Sequence, residues 1–125
     1  MTNILIVDDD ADFSEALQDS LSMLLSHYQF ITCGKSSQVF DLIYSLPASL
    51  VITDMIMPDV EGIEIITRLK QEMPDIPIIA MSGGGRVGGS NYLILADALG
   101  ADAIFDKPLS VFDMSRKVED LLGST

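Results

Sequence analysis

Two short stretches, Ile4-Leu5-Ile6-Val7 and Leu50-Val51-Ile52-Thr53, are almost wholly apolar and then end in acids, Asp8-Asp9 and Asp54. A strand that is apolar at successive positions, rather than at alternate ones, is buried on both faces, which marks a parallel sheet covered by helices on both sides. Each such strand delivers the acid that follows it to the carboxyl edge of the sheet. In open doubly wound sheets, ligands bind in the crevice outside that edge, where the strand order reverses.

The remainder of the chain keeps a βα rhythm. Residues 3–7 are expected to form β1 and residues 10–26 helix α1, with Phe13, Leu17, Leu21, Leu24 and Leu25 on its inner face. Tyr28 to Cys33 reads as β2, and 37–46 as α2, built on Val39, Phe40, Ile43 and Leu46 and stopped by Pro47. Residues 50–53 form β3, and α3 starts near Gly62, turns Ile63, Ile66, Leu69 and Met73 inward, and ends before Pro74. Ile76 to Met81 reads as β4, with Pro77 tolerable at its start. Residues 90–99 form α4, capped by Gly100; Ala103 to Phe105 forms β5; and 110–122 forms α5, with Ser110 as its N-cap. The spacing predicts an α/β fold, a doubly wound five-stranded parallel sheet of order 2-1-3-4-5 in a flavodoxin-like three-layer sandwich. In that order the switch point falls between β1 and β3, at Asp8, Asp9 and Asp54.

Composition narrows the function. A chain of 125 residues is one domain of ordinary size, and with no linker or repeat it is expected to stand alone as 1–125. Seven basic against nineteen acidic residues, a net charge of −12, argue against a domain that grips nucleic acid. No apolar run approaches the roughly 20 residues of a membrane span. The N-terminus lacks a basic segment ahead of an apolar one, so no secretory signal is expected. The lone Cys33 excludes an intrachain disulfide, fits a reducing cytoplasm, and reads as a small core residue.

Three carboxylates at one sheet edge repel one another, each unit-charge pair by roughly 1 kcal/mol at 4 Å in water and about 4 near a protein surface. Protonation, a lysine or a metal must relieve them. Hard oxygen ligands suit Mg²⁺, which bridges readily to phosphate oxygens, and one carboxylate could then attack phosphorus to give an aspartyl-phosphate. The alternative for Asp8-Asp9 is a solvated acidic turn that caps the following helix. Ser82 at the end of β4 and Lys107 at the end of β5 add a hydroxyl and a cation at the same edge. Both could hold the oxygens of a transferring phosphoryl group.

These residues carry a family resemblance. Ile6-Val7-Asp8-Asp9, Asp54-Met55-Ile56-Met57-Pro58 with Gly62 beyond, Met81-Ser82-Gly83 and Lys107-Pro108 occur in order over the whole chain. In them the chain resembles the receiver domain of bacterial two-component response regulators, in the single-domain form of the chemotaxis regulators. The resemblance implies that Asp54 accepts a phosphoryl group from the histidine of a sensor kinase or histidine phosphotransfer protein. It implies that Asp9, Asp54 and the backbone carbonyl of Ile56 ligate Mg²⁺, with Asp8 acting through a metal-bound water. Ser82 would follow the phosphoryl group as a switch hydroxyl, Lys107 would contact it, and the Lys107–Pro108 peptide would be cis. The expected behaviour is that of a cytoplasmic signalling domain, not an enzyme beyond slow loss of its own phosphoryl group. It would contact a downstream protein or a second copy through α4, β5 and α5, and neither nucleic acid nor membrane.

One position departs from the family pattern. Relatives carry an aromatic residue three positions before the lysine, and here that position is Ile104, with Phe105 facing the other side of the sheet by strand alternation. This leaves open a second reading, a receiver-fold binding module that works without phosphate. A third, an aspartyl-phosphate hydrolase, would place an acid two residues after the nucleophile, where this chain has Ile56.

Other motifs carry less. Gly83-Gly84-Gly85-Arg86-Val87-Gly88 mimics a dinucleotide-binding turn but follows the fourth strand instead of the first, so it reads as a β4–α4 loop. Gly34-Lys35-Ser36 lacks the first glycine of a P-loop, since Gln29 stands there. His27 suits the C-terminal end of α1. Helix α4, with Tyr92, Leu93, Ile94, Leu95 and Leu99, is more apolar than one buried stripe requires, which fits either deep packing or a partner surface.

Overall fold

The computed structural model describes residues 2–55, 62–83, 94 and 96–123. Its strands are β1 (Thr2–Val7), β2 (Tyr28–Cys33), β3 (Ala48–Asp54), β4 (Ile78–Gly83) and β5 (Ala103–Lys107). They form one sheet in the order β2-β1-β3-β4-β5, with every neighbouring pair parallel. This is the doubly wound arrangement expected from the apolar runs. The helices are α1 (Ala11–Leu24), α2 (Val39–Ser45), α3 (Gly62–Glu72), the helical residues 94 and 96–99 as α4, and α5 (Val111–Leu122). Tyr92, Leu93 and Leu95 of the expected α4, and Gly84 to Gly88 of the glycine-rich loop, lie outside the described residues.

Alternation along the buried strands divides the core in two. Leu5, Val7, Val51, Ile78 and Ala80 face α2, α3 and α4, where they meet Phe40, Ile43, Ile65, Ile66, Leu69 and Ala96. Ile4, Ile6, Leu50, Ile52, Ile79 and Met81 face α1 and α5, where they meet Leu17, Leu21, Met114 and Val118. Nearly all of these residues are fully buried.

Several boundaries differ from the sequence expectation for identifiable reasons. β3 and β5 run further than expected because the parallel ladder continues through polar residues, pairing Asp54 with Met81 and Lys107 with Gly83. β4 begins after Pro77, whose carbonyl accepts from Val51 N–H at 3.1 Å. The first turn of the expected α2 is a 3-10 turn, Ser36–Gln38, closed by Gln38 N–H donating to the Lys35 carbonyl. Leu24, expected to point inward, is 40% exposed, because α1 ends there and Leu25, at 2%, takes the inner position. Ser110 caps α5 by accepting from Asp113 N–H at 3.2 Å, and Gly123 ends that helix in the left-handed conformation.

Two local devices fix the elements that carry the functional edge, one at the strand starts and one at the edge itself. Asp102 accepts from Ile78 N–H at 2.8 Å while its own N–H donates to the Ile78 carbonyl at 2.8 Å, so one residue fixes where β4 and β5 start. Lys70 of α3 lies 3.8 Å from the same carboxylate. Gly62 opens α3 directly against the end of β3, its N–H donating to the Met55 carbonyl at 3.1 Å. A Cβ at that position would press into the Asp54 carbonyl oxygen and come within 2.7 Å of Met55 Cα. Backbone atoms on both sides cannot yield as a flexible side chain would. Gly62→Ala is expected to destabilise the fold by about 1–3 kcal/mol, as overpacking does. Urea denaturation measures it, and an unchanged midpoint would show that α3 can shift freely away from β3.

Candidate functional site

The acids reach the sheet edge by different routes. Asp8 follows the last residue of β1 and continues its ladder, donating its N–H to the Cys33 carbonyl at 3.1 Å. Its carboxylate is fully buried and divides its oxygens: Oδ1 accepts from Asp10 N–H at 2.9 Å and Oδ2 from Lys107 Nζ at 2.6 Å. The first bond folds the chain into the turn from which α1 starts, and Asp10 caps that helix by accepting from Phe13 N–H at 3.1 Å. Asp9, between them, is exposed. The capping role offered as the alternative for this run belongs to Asp10, which leaves Asp8 and Asp9 to the edge.

Asp54 is the last residue of β3 and is 1% exposed. One carboxylate oxygen from each of Asp8, Asp9 and Asp54 lies within 4.8 Å of the others. Lys107 Nζ enters from β5, 3.8 Å from Asp54 Oδ2 and bonded to Asp8. Three carboxylates less one ammonium leave the cluster a formal charge of −2. All-oxygen donors with that residual charge fit a divalent, hard cation such as Mg²⁺. The Ile56 carbonyl, named as a further ligand by the family resemblance, lies outside the described residues.

Ser82 sits one residue beyond Met81, the register partner of Asp54, and is fully buried. Its Oγ has no hydrogen-bond partner among the described residues. A buried hydroxyl left in that condition is uncommon and costly, which makes it a donor in search of an acceptor. Alternation places Ser82 on the same face as Ala80 and its register partner Ile104, which is 42% exposed. Phe105 turns to the opposite face and packs against the α1–α5 core. The separation of Ile104 and Phe105 argued from alternation is therefore present, and the Lys107–Pro108 peptide is cis.

Its spacing marks Phe13 only as a core residue, yet Lys107 Nζ stands over its ring, 4.1 Å from the centroid. Nothing in its spacing distinguishes that role from membership of the apolar stripe. The minor candidates stay structural. Burial pushes the Cys33 thiol up from its ordinary pKa, and its Sγ donates to the Lys35 carbonyl, as suits an inert core residue. His27 is exposed beside Tyr28, past the end of a helix that starts at the site and runs about 20 Å from it.

Comparison with known proteins agrees with this geometry. The family model described as the response regulator receiver domain matches residues 4–119. The transcriptional regulatory protein FixJ of Bradyrhizobium diazoefficiens is 32% identical, over 96% of this chain and 56% of its own. The DNA-binding transcriptional regulator NtrC of Azospirillum brasilense is 32% identical, over 97% of this chain and 24% of its own. Among solved structures, the signal receiver domain of a DNA-binding response regulator from Colwellia psychrerythraea superposes with a TM-score of 0.87 at 26% identity, covering 98% of this chain and 99% of that one. The chain thus spans about half the length, or less, of these curated relatives.

The ion pair at the centre of the site has a measurable consequence. Lys107→Met leaves the fully buried Asp8 carboxylate without its cation, and is expected to lower stability by roughly 3 kcal/mol in metal-free buffer. Adding Asp8→Asn to that variant should restore part of the loss. Chemical denaturation of the wild type and the two variants decides it, and equal stability of wild type and Lys107→Met would show that the pair is solvated.

Proposed function

The chain belongs to the response regulator receiver domain family, and from that membership we propose that it is the phosphoacceptor of a two-component relay, phosphorylated on Asp54. The observation that carries the reading is the buried Asp54 carboxylate at the end of β3, sharing one pocket with Asp8, Asp9 and the Lys107 ammonium. An Asp54 oxygen attacks the phosphorus of a phosphohistidine on a sensor kinase or phosphotransfer protein. A new O–P bond forms as the P–N bond breaks, and the imidazole keeps the electron pair and takes a proton from solvent.

The chain's own groups position and neutralise. Lys107, already within 3.8 Å of Asp54 Oδ2, can turn toward a phosphoryl oxygen while its stem stays on β5. Ser82 Oγ can donate to another, which would satisfy a hydroxyl that has no partner among the described residues. Mg²⁺, held by Asp9, Asp54 and the Ile56 carbonyl with Asp8 beside it, would supply charge neutralisation to the phosphoryl oxygens. We assign no enzymatic turnover beyond slow hydrolysis of the acyl phosphate.

Output is proposed to run through protein contacts, to a downstream partner or a second copy across α4, β5 and α5. The net charge of −12 favours a protein surface over nucleic acid for this domain. Two relatives are named as transcriptional regulators, so a DNA-binding effector elsewhere in the same pathway is the class of output we favour. No helix among the described residues is long and apolar enough to cross a membrane, and the site of action we propose is the cytoplasm.

The exposed Ile104 supports one competing reading, a receiver fold that binds its partner without phosphate. A small-molecule phosphodonor with Mg²⁺ separates the two. Intact-mass measurement should find the wild type singly phosphorylated and Asp54→Asn unmodified. Equal labelling of both proteins would remove Asp54 as the acceptor, and an unlabelled wild type with no saturable Mg²⁺ binding would favour the phosphate-independent module.

A further inference from the structure

We infer that Phe13 is a positioning residue for Lys107, its ring holding the ammonium over the acidic cluster. The inference rests on the reading of Asp54 as phosphoacceptor and adds to it a residue outside the acid, hydroxyl and lysine set. Lys107 Nζ lies 4.1 Å from the Phe13 ring centroid, 2.6 Å from Asp8 Oδ2 and 3.8 Å from Asp54 Oδ2. Its side chain is 15% exposed, so the ammonium has given up most of its water.

A lysine is a compact, strongly hydrated charge on a flexible stem, and one carboxylate contact leaves it several ways to point. The face of an aromatic ring attracts the cation through its quadrupole, and more strongly where water is excluded. Phe13 therefore supplies a second restraint beside the Asp8 carboxylate. Its own position is fixed from both ends. The Phe13 N–H donates to the Asp10 carboxylate that caps α1, which sets the first turn of the helix. The ring packs on the α1–α5 core and borders a cavity of about 150 Å³ with Leu17, Pro108 and Leu109.

The consequence concerns how often Lys107 stands where a phosphoryl oxygen arrives. With the ring in place the ammonium is held between Asp8 and Asp54. With an aliphatic side chain instead, the apolar packing survives but the ammonium is free to turn toward water and Asp8 alone. A positioned cation acts on the transition state without reorganisation, and a wandering one does not.

Phe13→Leu keeps apolar bulk and removes the ring, whereas Phe13→Tyr keeps the ring beside the same cavity. Phosphorylation of Asp54 by phosphoramidate with Mg²⁺ should slow about two- to fivefold in Phe13→Leu, the size expected of one partly desolvated cation–π contact. Phe13→Tyr should match the wild type. In proton NMR the Lys107 ε-methylene signals should lie upfield in the wild type and Phe13→Tyr, through ring shielding, and return to ordinary values in Phe13→Leu. Equal rates in wild type and Phe13→Leu, an equal slowing in Phe13→Tyr, or unshifted Lys107 signals in the wild type would each overturn the inference. A wild type that takes no phosphoryl group would instead count against the phosphoacceptor reading, and the Lys107 signals of the same sample would still decide the role of the ring.

Discussion

Among the described residues one cation stands with three carboxylates at the functional edge, and the path of the chain around that edge depends on it. The bond between Lys107 Nζ and Asp8 Oδ2 joins residues 99 positions apart, so it fastens the edge strand β5 to β1 across the two strands, β4 and β3, that lie between them. The other oxygen of Asp8 shapes the turn into α1. A single buried carboxylate therefore ties the start of one helix and the end of the last strand to the middle of the sheet. Burying an ion pair confers little net stability over an apolar pair, but leaving one partner alone is heavily penalised. The arrangement is thus better understood as a specification of geometry than as a source of stability.

The parallel register turns that local bond into a functional edge. β1 and β3 are neighbours at the point where the strand order reverses, so the residues after Val7 and Thr53 share one crevice. β4 and β5 then bring Ser82 and Lys107 to the same edge, on opposite faces. Lys107 belongs to the α1–α5 side, where Phe13 meets it, and Ser82 to the side of α3 and α4, where Ile104 is its neighbour on β5. The two groups proposed to contact a phosphoryl group therefore face different helical layers. Ile104 is a branched aliphatic residue already at the surface, and it has no ring to carry from an exposed to a buried position. Whatever movement Ser82 undergoes on its face must be passed on by backbone displacement or by α4.

The order of elements was readable in the sequence because buried parallel strands leave an unmistakable pattern, with four-residue apolar runs interrupted by amphipathic helices. The acids were readable for the same reason, since they stand at the first polar position after each run. What escaped was set by tertiary contact. β3 and β5 continue through Asp54 and Lys107 because hydrogen-bonded neighbours sustain them, although hydropathy says the strand has ended. Leu24 and Leu25, three and four residues after Leu21, both extend the apolar stripe until the end of α1 chooses between them. Asp8, Asp9 and Asp10 are three identical residues in a row with three different fates: buried ion pair, exposed cluster member and helix cap. Only the chain path assigns them. Phe13 was placed correctly on the inner face of α1, but its partner is a lysine distant in sequence, which periodicity cannot reveal.

The residual charge of the cluster limits what can enter it. Lys107 offsets one of the three carboxylates and leaves a formal −2 in a pocket whose walls are the buried ends of strands. A phosphoryl group brings further negative charge, and like charges about 4 Å apart near a protein surface repel by about 4 kcal/mol per unit pair. A solvated acidic turn could dissipate that repulsion into water, but Asp8 and Asp54 are both buried and cannot. The pocket is therefore poorly suited to an anion alone and well suited to an anion accompanied by a divalent cation. That selectivity follows from the ratio of three acids to one base, and it would weaken if a second lysine stood where Ser82 does, since the formal charge would fall to −1. A neutral hydroxyl at that position lets the hydrogen-bonding need of the edge change with its occupant while its charge does not.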